Sequence, residues 1–217
     1  MRRLLLAAML IAAPAAAAER LATVTDPALR PATTLRLVWW DPDKILSQDF
    51  DEIACEVQAV FRPIGIEVVS RHAEGPSAAG EVNVILLSRD PARAQDKRRT
   101  MGRVNRERHT ALWIFAATVR ESLGLAPPGV GRYRMWEERH DYPRALGRVV
   151  AHELVHSLVP DQPHATSGLM QASLGRDFLT ASRAPIDRRF ASALARRLSA
   201  GPVEEPARVA ADLAVER

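Results

Sequence analysis

Hydrophobic and polar positions divide the chain into short alternating runs and longer stretches of helical period. Leu35, Leu37 and Trp39 alternate with Arg36, Val38 and Trp40, the two-residue period of a half-buried strand that Asp41-Pro42-Asp43 ends. From Ser47 to Phe61 the apolar positions Phe50, Ile53, Ala54, Val57, Val60 and Phe61 recur at helical spacing, with Ser47 suited to cap the helix and Pro63 with Gly65 to close it. Cys55 falls in that apolar register and is expected to be buried. Ile66 to Val69 reads as a strand, Gly75 to Gly80 as a turn-rich loop, and Val82 to Leu87, apolar on both faces, as a central strand. Met101-Gly102-Arg103-Val104 forms a short edge strand, and Ala111 to Ala116 another apolar strand running into a helix near Thr118 to Leu123.

Residues 124–142 hold Gly124, Pro127, Pro128, Gly129 and Gly131 and read as a loop, long enough for a compact domain to suggest a function. Tyr142-Pro143 opens the next helix, because proline suits a first helical turn. That helix runs through Leu146, Val149, Val150 and Leu154 to about Leu158, ahead of Pro160. A last helix over Pro185 to Leu198 puts Ile186, Phe190, Leu194 and Leu198 on one face. This alternation predicts one α/β (α+β) domain over residues 35–200.

The two ends read differently. Arg2 and Arg3, the apolar run Leu4 to Ala13, and Pro14 ahead of four alanines match a secretory signal over residues 1–18, with cleavage before Glu19. The run is short of the roughly 20 residues that a spanning helix needs, so no stable membrane insertion is expected after cleavage. Residues 19–34 are an extended lead-in, and residues 201–217, with Pro202 and Pro206, a flexible tail. The expected location is therefore periplasmic or extracellular.

With 47% hydrophobic and 26% charged residues the chain can build one core. Without Arg2 and Arg3, 28 basic side chains face 26 acidic ones, a balance that does not call for nucleic acid. One cysteine excludes an internal disulfide. Lys97, Arg98, Arg99, Arg103, Arg106 and Arg108 make a basic run, either a solvated loop or a device for steering acidic substrates or holding an anionic envelope.

The chemistry concentrates at His152-Glu153-Leu154-Val155-His156. Helix positions four apart differ by about 40° around the axis and about 6 Å along it, so His152 and His156 can grip one metal ion. Neutral imidazoles suit Zn2+, and a catalytic zinc keeps one coordination position for water. Glu153 then lies where its carboxylate can act as general base on that water. Three of the six histidines, His152, His156 and His164, fall within thirteen positions, and the helix end at Val159-Pro160 lets the chain turn back to bring His164 to the ion.

These residues resemble the metzincin clan of zinc peptidases, matrixin-like ones especially, and secreted bacterial proteins with HExxH, a later His and a Gly-Leu-Met segment. The clan places a third His six residues after HExxH and a Met-containing turn beneath the metal. Here His164 lies eight residues after His156, Val159 stands at the usual glycine, and Ser167-Gly168-Leu169-Met170 is similar to the Met-turn. The resemblance implies a zincin-like mixed twisted sheet, an active-site helix, a small C-terminal helical part, Met170 as a structural residue, and Met101 to Val104 as the strand that receives an extended peptide.

Asp161, Asp177 and Asp187 stay open as third ligands or as partners of a ligand His; no Glu lies between Glu153 and Glu204. Tyr133 and Tyr142 both precede the motif, so a tyrosine donor after the Met-turn is absent. The expected function is a zinc-dependent peptidase acting on peptides or proteins. The alternatives are a zinc-stabilised binding module derived from a peptidase and a zinc amidase acting on cell wall.

Overall fold

The computed structural model describes residues 33–46, 49–91, 100–105, 110–126 and 136–200. The expected signal (1–18), nearly all of the lead-in, the tail, Ser47, Tyr133 and most of the basic run lie outside them.

Five strands form one mixed sheet in the order β2-β1-β3-β5-β4. They are β1 (Thr33–Trp40), β2 (Ile66–His72), β3 (Glu81–Leu87), β4 (Gly102–Val104) and β5 (Ala111–Phe115). The first three and β5 run parallel, whereas β4 pairs antiparallel with β5 and leaves its other side at the sheet edge. The strand apolar on both faces, β3, is central as its pattern predicts.

Helices are α1 (Phe50–Phe61), α2 (Ala116–Ser122), α3 (Trp136–Leu158), α4 (Arg176–Thr180) and α5 (Arg188–Ser199). The core joins Leu35, Leu37 and Trp39 of β1, Val82, Val84 and Leu86 of β3, and Leu112 and Ile114 of β5 to Ile53, Val57 and Phe61 of α1 and to Leu146, Val149 and Val150 of α3. At the end of β1 the Asp41 carboxylate accepts from the Ile45 and Leu46 amides, which turns the chain toward α1. No helix among the described residues is long and apolar enough to cross a membrane.

Four differences from the sequence expectations have physical causes. The long helix begins at Trp136, so Pro143 sits inside it rather than in its first turn. The residue whose carbonyl would receive the missing N–H, Arg139, is exposed, and solvent can stand in for the donor. Cys55 is exposed rather than buried. Two positions after Ile53 it is turned about 200° from the face that buries Ile53, Val57, Val60 and Phe61. The last helix starts at Arg188, where the Asp187 carboxylate accepts from the Arg189 amide as an N-cap. Its start three residues beyond Pro185 leaves that proline in an extended approach. The short helix α4 has no periodic signal of its own and is held from outside: Arg148 donates to the Phe178 and Ala181 carbonyls, and Arg144 to that of Thr180.

Candidate metal centre

The part of α3 that carries the motif is buried almost all round: Tyr142, Ala145, Leu146, Val149, Val150, Ala151, Leu154 and Val155 all belong to the core. Arg148 is buried among them because its charge is answered by Glu56 at 2.8 Å as well as by the Phe178 carbonyl of α4 and the Ala181 carbonyl at its end. A helix packed this way fixes the direction of every side chain it carries, including His152 and Glu153, which are themselves buried. His156, one turn on, is partly exposed at the mouth of the site.

After Leu158 the chain reverses through Val159 to Gln162, with the Val159 amide donating to Val155 and the Gln162 amide to Val159. Among the described residues no left-handed backbone occurs between α3 and Gly168. Two more residues than the metzincin interval allow a reversal through Pro160 without the glycine. It returns His164 beside the helix. The Nε2 atoms of His152 and His156 lie 3.1 Å apart, and those of His156 and His164 lie 3.0 Å apart. The three ligand atoms all fall within 4.8 Å of one another.

Three nitrogens converging on one point suit a metal better than they suit each other. Tetrahedral zinc with bonds near 2.0–2.1 Å sets its nitrogens about 3.3 Å apart, a few tenths from the spacing found. His152 Nδ1 lies 2.8 Å from the Leu169 carbonyl oxygen, which can only accept, so the proton belongs on Nδ1 and Nε2 presents a lone pair to the triad. Burial, with His152 and His164 adding to it, pushes His156 down to about 4. Burial also lowers His152, against the opposing pull of the Leu169 carbonyl. Both imidazoles are thus neutral near pH 7, the form that binds zinc. The donor set fits the ion.

Burial pushes the Glu153 carboxyl up to about 8. One wall of its pocket is the edge strand. A Cβ built on Gly102 would lie 2.7 Å from Glu153 Cγ and 3.1 Å from both Cδ and Oε1. Any side chain at 102 would therefore displace the carboxylate, and only glycine lets β4 pass this close. Arg103, facing the other side of the strand, pairs with Asp90 at 3.6 Å and lies over the Trp113 and Phe115 rings at 5.2 and 5.5 Å. That one member of the basic run helps hold the short strand in place.

Of the residues singled out in the sequence, His152, His156 and His164 lie together, and Glu153 is the buried residue that follows the first of them on α3. Gly168 has φ of +75°, Met170 is 1% exposed, and the Ala165 amide donates to the Met170 carbonyl at 2.7 Å, which ties the turn to the strand-like run after His164. Asp161 is exposed in the reversal, Asp177 lies in the first turn of α4 and Asp187 caps α5. None of the three is grouped with the histidines. Gly102 escaped the sequence reading. Its signal was there, a glycine interrupting an edge strand, which often marks a close backbone approach.

A mixed sheet with a helix-borne histidine pair and a returning third histidine defines the zincin-like fold. Among solved structures the chain is similar to the crystal structure of archaemetzincin from Methanopyrus kandleri, with a TM-score of 0.50 over 77% of this chain and 96% of that one. The sequences are 16% identical, so the likeness is one of fold. No protein-family model matches the chain, and no curated protein does.

Proposed function

We propose that the chain is a zinc-dependent peptidase acting outside the cytoplasm, with His152, His156 and His164 holding the ion and Glu153 as general base. The observation that carries this reading is the convergence of three imidazole nitrogens, supported by the burial of Glu153, next after the first ligand in the chain, against the edge strand. Zinc bound there supplies a Lewis acid for the scissile carbonyl and an acidified water as nucleophile.

The chain's own residues do the rest. Glu153, the next residue after the first ligand, takes the proton of the attacking water and hands it to the departing amine. Burial keeps its carboxyl ready to hold that proton, while a cation in the triad would favour the carboxylate that begins the cycle. The side of β4 that no described strand pairs offers main-chain donors and acceptors to an extended peptide, and Gly102 sets that peptide's path beside Glu153. The Leu169 carbonyl holds the His152 ring in the tautomer and orientation that face the ion. The similarity of His152 to Met170 to matrixin-like enzymes supports the same reading. The apolar run and alanines of residues 1–18 support export.

Metal analysis and peptide cleavage test it together. Protein purified without chelators should hold about one zinc per chain, and it should cleave members of a diverse peptide mixture until a chelator removes the metal. Glu153→Gln should keep its zinc and lose roughly 10²–10⁴-fold in rate. Absence of zinc would sink the proposal. Zinc without cleavage would leave a binding module in its place.

A further inference from the structure

We propose that Arg189 is a positioning residue for the metal: it locks the loop that presents His164, and with Pro185 it makes the approach to α5 a buttress for two of the three histidines. The proposal rests on the reading of His164 as a ligand.

His164 is exposed, and the reversal that carries it lacks the buried face that fixes His152. Something else must hold it. One nitrogen of the Arg189 guanidinium, Nη2, donates to the carbonyls of both Pro163 and His164, each at 2.9 Å. A charged donor to two consecutive carbonyls fixes the peptide plane between them, and with it the Cα from which the imidazole projects. The side chain is itself held for the task. Asp187 caps the helix by accepting from the Arg189 amide at 2.8 Å, and the guanidinium lies 4.7 Å over the Phe190 ring, which is fully buried.

The same segment reaches the second histidine through main chain. The Pro185 carbonyl accepts from the Leu169 amide at 3.0 Å, and the Leu169 carbonyl accepts from His152 Nδ1 at 2.8 Å. Gly168 allows this approach, since a Cβ there would stand 2.8 Å from the Pro185 oxygen. Thus residues 185–189 hold both the ring of His152 and the backbone of His164. Polar partners that orient metal ligands typically contribute 10–100-fold to affinity. Arg189 acts in solvent, which places it at the low end.

Zinc titration against a competing chelator tests this with the full chain. Arg189→Met, which keeps the stem and removes the donors, should weaken zinc binding roughly tenfold. Arg189→Lys, with several N–H groups on one cationic nitrogen, should restore most of the loss. The melting temperature of metal-free Arg189→Met should stay within about 2 °C of the parent, as for a surface change. The decisive arm combines substitutions: in a His164→Ala background, Arg189→Met should leave zinc affinity unchanged, because the ligand it positions is gone. With cobalt in place of zinc, Arg189→Met should broaden and weaken the visible bands that report tetrahedral geometry. An equal tenfold loss in both backgrounds, or a parent-like affinity for Arg189→Met, would overturn the inference while leaving the metal site intact. A parent chain that binds no zinc defeats the functional reading itself.

Discussion

The sheet with α1 and the segment from Val159 to Ile186 are built on opposite terms. In the first, Leu37, Ile53, Val57, Val84, Leu112 and Ile114 are all fully buried, and continuous ladders satisfy the main chain. In the second, most residues are at least partly exposed. Leu169, Met170, Leu174 and Leu179 give it a few buried anchors, and arginines reaching in from helices bind its carbonyls. The helix α3 belongs to both. Its buried face carries His152 and Glu153, whereas His164 comes from the exposed side of the seam. Folding energy and ligand geometry therefore reside in different places, and substitutions should separate them.

The largest separation is expected at His164. His164→Ala removes a ligand from an exposed loop, so the fold should persist while zinc affinity falls by more than the roughly 10–100-fold that polar supporting residues command. Hydrolysis should vanish with it. Asp161→Ala, equally exposed in the same reversal but outside the triad, should leave both nearly unchanged. Equilibrium dialysis against buffered zinc reads the difference. If Asp161→Ala empties the site and His164→Ala does not, the third ligand is misassigned.

The reverse separation is expected in the sheet. Leu37 is fully buried between β2 and β3, and its truncation leaves a cavity as well as lost apolar burial. Leu37→Ala should lower stability by about 3 kcal/mol, visible in urea unfolding, yet the folded fraction should bind zinc with the parent's stoichiometry. A variant of normal stability that cannot hold the metal would erase the distinction between the two regions.

That distinction also governs how much can be read from the amino acids alone. Strands in the sheet declare themselves by alternation, as at the start of β2, or by a continuous apolar run, as in β3. The convergence of His164 on the helix was legible from helix spacing and the prolines beyond it. By contrast, α4, Gly102 and Arg189 take their places through main-chain carbonyls and close approaches, which leave no periodic trace in the sequence. Pro143 misled for a related reason. Proline constrains one hydrogen bond, and a helix buried almost throughout from Ala145 to Val155 can absorb that loss.

The last expected effect grows only with pH, probes the seam itself and needs no substrate. In the metal-free chain Glu153 titrates at about 8, above the ordinary 4.5, because burial disfavours its charged form. Below pH 4.5 the folded and unfolded chains both carry the proton, and the group contributes nothing to the difference between them. As pH rises from 4.5 to 8 the unfolded chain releases the proton while the folded chain keeps it, so folding is progressively penalised. Above 8 the penalty is complete. Integrated to pH 7, it amounts to something on the order of 3 kcal/mol. Glutamine cannot ionise. Metal-free Glu153→Gln should therefore match the parent near pH 4 and exceed it by that order at pH 7, with the histidine contributions common to both and cancelling. Zinc should narrow the gap, since a cation in the triad favours the carboxylate of the parent and offers the amide nothing comparable. Urea unfolding of both proteins at unit steps from pH 4 to 8, with and without zinc, measures all of this. A gap that stays constant with pH would show that the Glu153 carboxyl titrates as it does in water, and that its packing against Gly102 does not exclude solvent from it.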